Sequence, residues 1–314
     1  MEQKFPEAIP LPPSYIIARA RRKKELVASI WLGIVFRLLI IFAEIVGYFY
    51  FFSVSLLFDG IASAVDVLFS LILLCGIWFA AKAPDDDHPF GHGRYEPLAG
   101  FQLSVFMIVG GIALVAQQSW SLFDVVEKEV LSPWAWTIPM GAVFLLEFSY
   151  QIMMHYARTH NSPALKADAV HFRIDALNSL FATVALLLVA FFPEGSSLFD
   201  HTGAILIAAL MGIIGLLAAR DNFYQLLDRK PDQKYFQLVR EQAMRVEGVM
   251  DTEKLRIQVS GPDAHVDIDV EVDPKMDIEN GHRISQHVRA RIQEAWPAVR
   301  DVVVHLEPYY PNDH

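Results

Sequence analysis

Six apolar stretches, near residues 33–54, 56–83, 97–122, 135–156, 164–192 and 198–219, leave this chain few folds to adopt. Each is long enough to cross a hydrocarbon core of about 30 Å. Lipid offers no partner to a backbone amide, so each such stretch must close its hydrogen bonds internally as a helix. With 54% hydrophobic and 20% charged residues, the chain is too apolar for an ordinary soluble protein. The first 20 residues are punctuated by prolines and lack the apolar core of a cleavable leader. A net charge of −10 argues against nucleic acid as a partner. The single cysteine, Cys75, excludes an intramolecular disulfide and a cysteine-built zinc site, and its apolar surroundings predict a packing role.

The loops predict orientation. Lys and Arg collect in the segment 14–25, at Lys82 and Arg94, at Arg158 and Lys166, and at Arg220, Arg229 and Lys230, whereas the opposite loops are acidic or neutral. Both termini are therefore expected in the cytoplasm. Beyond Asp221 the pattern changes. Residues 234–247 and 278–295 carry helical spacing; LRIQVSG, HVDIDVEV and DVVVHLE alternate with period two. The order αββαβ predicts a small sheet covered by helices on one face, with a modest core that dimerisation would support. Three parts follow: a basic cytoplasmic segment 1–32, a six-helix transmembrane domain 33–222, and a cytoplasmic α+β domain 223–314.

Charges inside spans need a reason. His171 and Asp175 lie four residues apart near the start of the fifth stretch, hence on one helical face. Asp66 lies ten residues from Leu56 in the second stretch, about 15 Å deep. Asp175 lies about 16 Å deep from the other side, so in antiparallel spans the two carboxylates meet near the midplane. Buried together they would repel, and a divalent cation offsets both charges. Glu44 and Glu147 either line a pathway or pair with Arg37 and polar neighbours, and with pairing or a structural role at least as well supported both stay outside the site; His155 is read as interfacial. Gly110 and Gly111 predict a close helix contact.

These residues resemble the cation diffusion facilitators, membrane transporters that export zinc and related divalent metals in exchange for protons. The resemblance rests on His171-x-x-x-Asp175, on Asp66, on the loop DDDHPFGHGRYEPLAG at 85–100, on LLDRKPD at 226–232 and on the αββαβ tail. It implies a transmembrane metal site at Asp66, His171 and Asp175, with Asp59 at the outer mouth. It implies a loop site at Asp85, His88 and His92, and a charged pair, Arg94 and Asp228, joining membrane and soluble portions. It also implies dimer-bridging metals in the tail at Asp269, His282, His305 and Glu307, with His265 able to substitute for Asp269.

Ala62 stands where the family places a further His or Asp, leaving water, Ser63 or Asn178 to complete the shell. Imidazole plus carboxylates suits zinc, iron(II), cobalt or nickel better than manganese. Loading needs a neutral imidazole and ionised carboxylates, so metal and protons exchange. The expectation is a homodimeric, proton-coupled exporter in a bacterial inner membrane, with a ferredoxin-like regulatory tail, zinc as first cargo and no enzymatic activity. Ala62 keeps open a transport-deficient sensor or partner subunit of another transporter. A membrane-embedded enzyme fits poorly, since no nucleophile or substrate pocket is legible.

Overall fold

In the computed structural model the described residues are 10, 12–51, 54–121, 134, 136–191 and 196–311. Side chains among them are described except at 51, 54–59, 62, 121, 185–186, 188–191, 196–204 and 207. The elements run α1 (Pro13–Phe51), α2 (Val54–Ala80), α3 (Tyr95–Ser121), α4 (Thr137–Thr159), α5 (Pro163–Phe191), α6 (Ser196–Leu226), α7 (Gln233–Met244), β1 (Asp251–Ser260), β2 (Asp263–Val272), α8 (Ile278–Ala295) and β3 (Val299–Pro308). They form two compact units. One comprises residues 24–82 and 95–223, the other residues 1–23, 83–94 and 224–314.

The first unit is built of helices. Among the described residues of the chain, four helical stretches are long and apolar enough to cross a membrane: Pro13–Tyr50, Ser63–Ala80, Tyr95–Trp120 and Thr137–Thr159. The basic segment at 14–25 is the opening of α1, because nothing in it breaks a helix. Leu26, Ile30, Ile34, Leu73, Ile77, Met153, Leu165 and Phe172 are buried together as its core. Phe42, Ile112, Phe144, Leu206 and Leu216 face outward, the inverse of a water-soluble helix bundle and the arrangement lipid requires. Cys75 is also exposed, so its expected packing role is corrected: its position on α2 faces away from the core.

The α4–α5 turn fixes the depth of the site residues. Asn161 adopts φ 48°, and Ser162 closes the turn by donating its N–H to the Ala157 carbonyl at 2.9 Å. The Ser162 hydroxyl then accepts from the Leu165 N–H at 3.2 Å. With Pro163 first in the helix, this is a serine cap followed by a proline that has no amide proton to leave unpaired. His171 and Asp175 therefore sit about 12 and 18 Å along α5 from its start.

In the second unit β1 and β2 pair antiparallel, β2 and β3 parallel, in the order β1-β2-β3. The even-numbered β2 residues Ala264, Val266, Ile268, Val270 and Val272 form a core with Val239, Ala243, Ile284, Val288 and Ile292. Both helices thus cover one sheet face, and the odd-numbered residues point to the other.

Candidate metal centres

Asp66 on α2 and His171 and Asp175 on α5 offer one ligand atom each within 4.8 Å of one another. The His171 Nε2 lies 3.6 Å from Asp66 Oδ1 and 3.6 Å from Asp175 Oδ1. His171 is buried, while the two carboxylates are partly accessible. The arrangement suits a small divalent ion: two oxygens and one imidazole nitrogen come within one ion's reach.

Arg37 changes the picture of this site. Its guanidinium, 2% exposed, donates to Asp175 Oδ2 at 2.8 Å and to Ser70 Oγ at 2.9 Å. It also donates to the Asp66 backbone carbonyl at 3.3 Å. It stacks over the Phe172 ring at 3.8 Å from the centroid and approaches Asp168 Oδ1 at 3.9 Å. Ser63 Oγ is directed at Glu44 Oε2, at 3.5 Å, Asn178 is exposed, and a cation, Arg37, borders the three ligands. Asp168, fully buried one turn before His171, joins this cluster and is the neighbour that sequence reasoning missed. The signal was available, since a charge at membrane depth needs a partner.

Glu147 accepts from Arg173 at 2.6 Å and from Gln151 at 2.7 Å. His155 is exposed with its ring edge-on to Tyr156. The side chains of Asp59 and Ala62 lie outside those described.

In the loop 83–94, Asp85, His88 and His92 also converge within 4.8 Å. The chain makes a turn in which Asp85 Oδ1 accepts the His88 N–H at 2.8 Å. The His88 Nδ1 lies 3.2 Å from that oxygen and the His92 Nε2 lies 3.3 Å from the other. Partial desolvation pushes the Asp85 carboxyl up, but the His88 hydrogen bonds and the two imidazoles outweigh it and hold it below its ordinary value. Gly91, at φ 84°, lets the chain reverse before His92. Arg94 makes a two-pronged contact with Asp228, at 2.7 and 2.9 Å, and both side chains remain largely exposed.

In the tail, Asp269, His305 and Glu307 form the third group. Asp269 and His305 are register partners on β2 and β3. The His305 Nδ1 is 3.6 Å from Asp269 Oδ1 and 3.1 Å from Glu307 Oε1. His282 is not part of the group. It lies on α8, across the sheet from these odd-numbered residues, and its Nε2 is 3.4 Å from the Gln286 amide. His265 does not substitute for Asp269: four residues away along β2, about 13 Å, it packs edge-on against Phe90.

Residues 30–227 match the cation efflux transmembrane domain and residues 231–309 the cation efflux protein cytoplasmic domain. An uncharacterized transporter of Methanocaldococcus jannaschii is 32% identical over 269 residues, covering 84% of this chain and 91% of that one. Manganese efflux system protein MneS of Bacillus subtilis is 28% identical, with 84% and 89% covered. Cation-efflux pump FieF of Pectobacterium atrosepticum is 28% identical, with 82% and 84% covered.

Proposed function

The chain belongs to the cation diffusion facilitator family, and on that premise we propose that it exports zinc from the cytoplasm in exchange for protons through Asp66, His171 and Asp175. The family is one of multi-pass membrane transporters of divalent metal, not of enzymes. The single observation that carries the finer reading is the convergence of two carboxylates and an imidazole from α2 and α5 within 4.8 Å.

Zinc stands ahead of manganese because one imidazole nitrogen and two carboxylate oxygens suit zinc, iron(II), cobalt and nickel better than the harder manganese ion. Loading requires the imidazole nitrogen free of its proton and both carboxylates ionised. Protons arriving from the far side therefore compete with the metal and expel it. Six spans at 33–222 carry the site, with the segment 1–32 and the tail 223–314 on the cytoplasmic side of an inner membrane. Two copies pair through the tail, and metal at Asp269, His305 and Glu307 or at Asp85, His88 and His92 biases the pair toward its loaded state. Arg94 and Asp228 brace the junction, and Asp59 draws ions to the outer mouth.

Ala62, in place of a further ligand, favours a second reading: a metal sensor or partner subunit that does not itself transport. Metal flux into proteoliposomes under an imposed pH gradient separates the two. Zinc, iron(II), cobalt and manganese are compared, with Asp175→Ala as control. Flux that depends on Asp175 supports the exporter and ranks the metals. Absence of flux for every metal, with metal still bound by the tail, supports the sensor.

A further inference from the structure

We propose that Arg37 is a tethered counter-cation of the transport site, which exchanges Asp175 for Asp168 whenever a divalent ion loads. The inference rests on the reading of Asp66, His171 and Asp175 as the transport site.

A guanidinium keeps its charge at any physiological pH, so a buried arginine needs a carboxylate in every state of the protein. In this structure that carboxylate is Asp175, whose Oδ2 holds Arg37 at 2.8 Å while its Oδ1 faces His171. An ion bound by Asp66, His171 and Asp175 requires Asp175 as its ligand and brings two positive charges beside the guanidinium. The two cations cannot share that carboxylate without cost.

A second carboxylate is already in reach. Asp168 is completely buried, and its Oδ1 lies 3.9 Å from Arg37 Nη1. Its Oδ2 has no hydrogen-bond partner among the described residues. Ser70 links the two, accepting from Arg37 at 2.9 Å and donating to Asp168 Oδ1 at 3.3 Å. Asp168 and Asp175 are seven residues apart on α5, hence on one face and about 10 Å apart along the axis. Arg37, entering from α1, borders both. A buried carboxylate with one oxygen unserved is what a displaced guanidinium would fill. The loaded site is then balanced: three carboxylates against one divalent ion and one guanidinium.

The full-length protein in proteoliposomes, with zinc as the probe, tests this through Arg37→Gln, Asp168→Asn and the double variant. Removing the guanidinium should lower KM for zinc about tenfold, because loading no longer breaks a charge-assisted hydrogen bond. The kcat should fall with it as release slows. Removing the second carboxylate should raise KM by a similar factor, and that rise should vanish in the Arg37→Gln background, a coupling that two independent structural defects would not produce. A raised or unchanged KM in Arg37→Gln overturns the proposal, as does an Asp168→Asn effect that persists without Arg37. If Arg37→Gln fails to fold, Ser70→Ala, which removes the hydroxyl linking the two positions, should still shift KM; an unchanged KM there overturns the proposal. Asp175→Ala tells the levels apart: abolished flux leaves the transport-site reading intact while Arg37 is judged, and undiminished flux overturns both.

Discussion

Asp269 and His305 face one another as register partners on parallel strands, on the sheet face that α8 does not cover. Their ligand atoms and that of Glu307 come within one ion's reach, whereas His282 projects from a helix in the other layer. Asp269→Asn and His305→Ala should therefore each remove bound zinc from the purified protein, and His282→Ala should leave that ion in place within one chain. Zinc stoichiometry measured after dialysis checks this. Equal loss in His282→Ala would show that the ion is held between copies and not by the three residues alone.

Much of this architecture was legible because lipid and a small sheet both impose strict periodicities. The helical spacing over 278–295 coincides with α8, and the depth argument brings Asp66 to His171 and Asp175. A one-dimensional reading offers Arg37 only to Glu44 and Glu147, the glutamates of the spans. Its long side chain instead reaches Asp175, 138 residues away, a distance no local pattern reports. The alternation in HVDIDVEV separates even core positions from odd ones on the opposite face, so within one chain His282, on the helix packed against the even face, is kept apart from Asp269.

His171 is the only nitrogen ligand in the membrane group, and the geometry gives it both carboxylates at 3.6 Å. His171→Ala should weaken metal affinity by at least the roughly 10- to 100-fold that loss of an outer-shell partner costs. It should also flatten the dependence of flux on pH, because the ring nitrogen for which protons and metal compete is gone. Zinc flux at a series of imposed pH gradients reads both effects. Wild-type flux at every pH would remove His171 from the site.

His265 ties stability of the second unit to pH. Burial holds its imidazole below its ordinary value; Asp301 opposes this, Arg300 adds to it, and a hydrogen bond to the Phe90 backbone opposes it. The unfolded chain binds a proton near pH 6.5, whereas the folded chain does so only at lower pH. Stability from this group is therefore complete above about pH 6.5 and declines as pH falls toward the folded value. Thermal unfolding followed from about pH 7.5 to 5.5 should show that decline in the wild type and a shallower one in His265→Gln. Parallel curves would assign the pH dependence to other groups.

Gly111 on α3 permits a contact with α6 that any side chain would spoil. A Cβ there would meet the Ala208 carbonyl oxygen at 2.7 Å and the Gly212 nitrogen at 2.9 Å, both backbone atoms that cannot swing aside. Gly111→Ala must separate the helices, at a cost of about 1–3 kcal/mol. Gly141 on α4 supplies the opposite case, since a Cβ there meets nothing within 4 Å. Gly141→Ala should stabilise its helix by about 0.5–1 kcal/mol, because alanine restricts the unfolded backbone more than glycine does. Thermal unfolding of the two variants in detergent should move the midpoint in opposite directions. Stabilisation in both would mean that helix propensity, and not the α3–α6 approach, governs the response at Gly111.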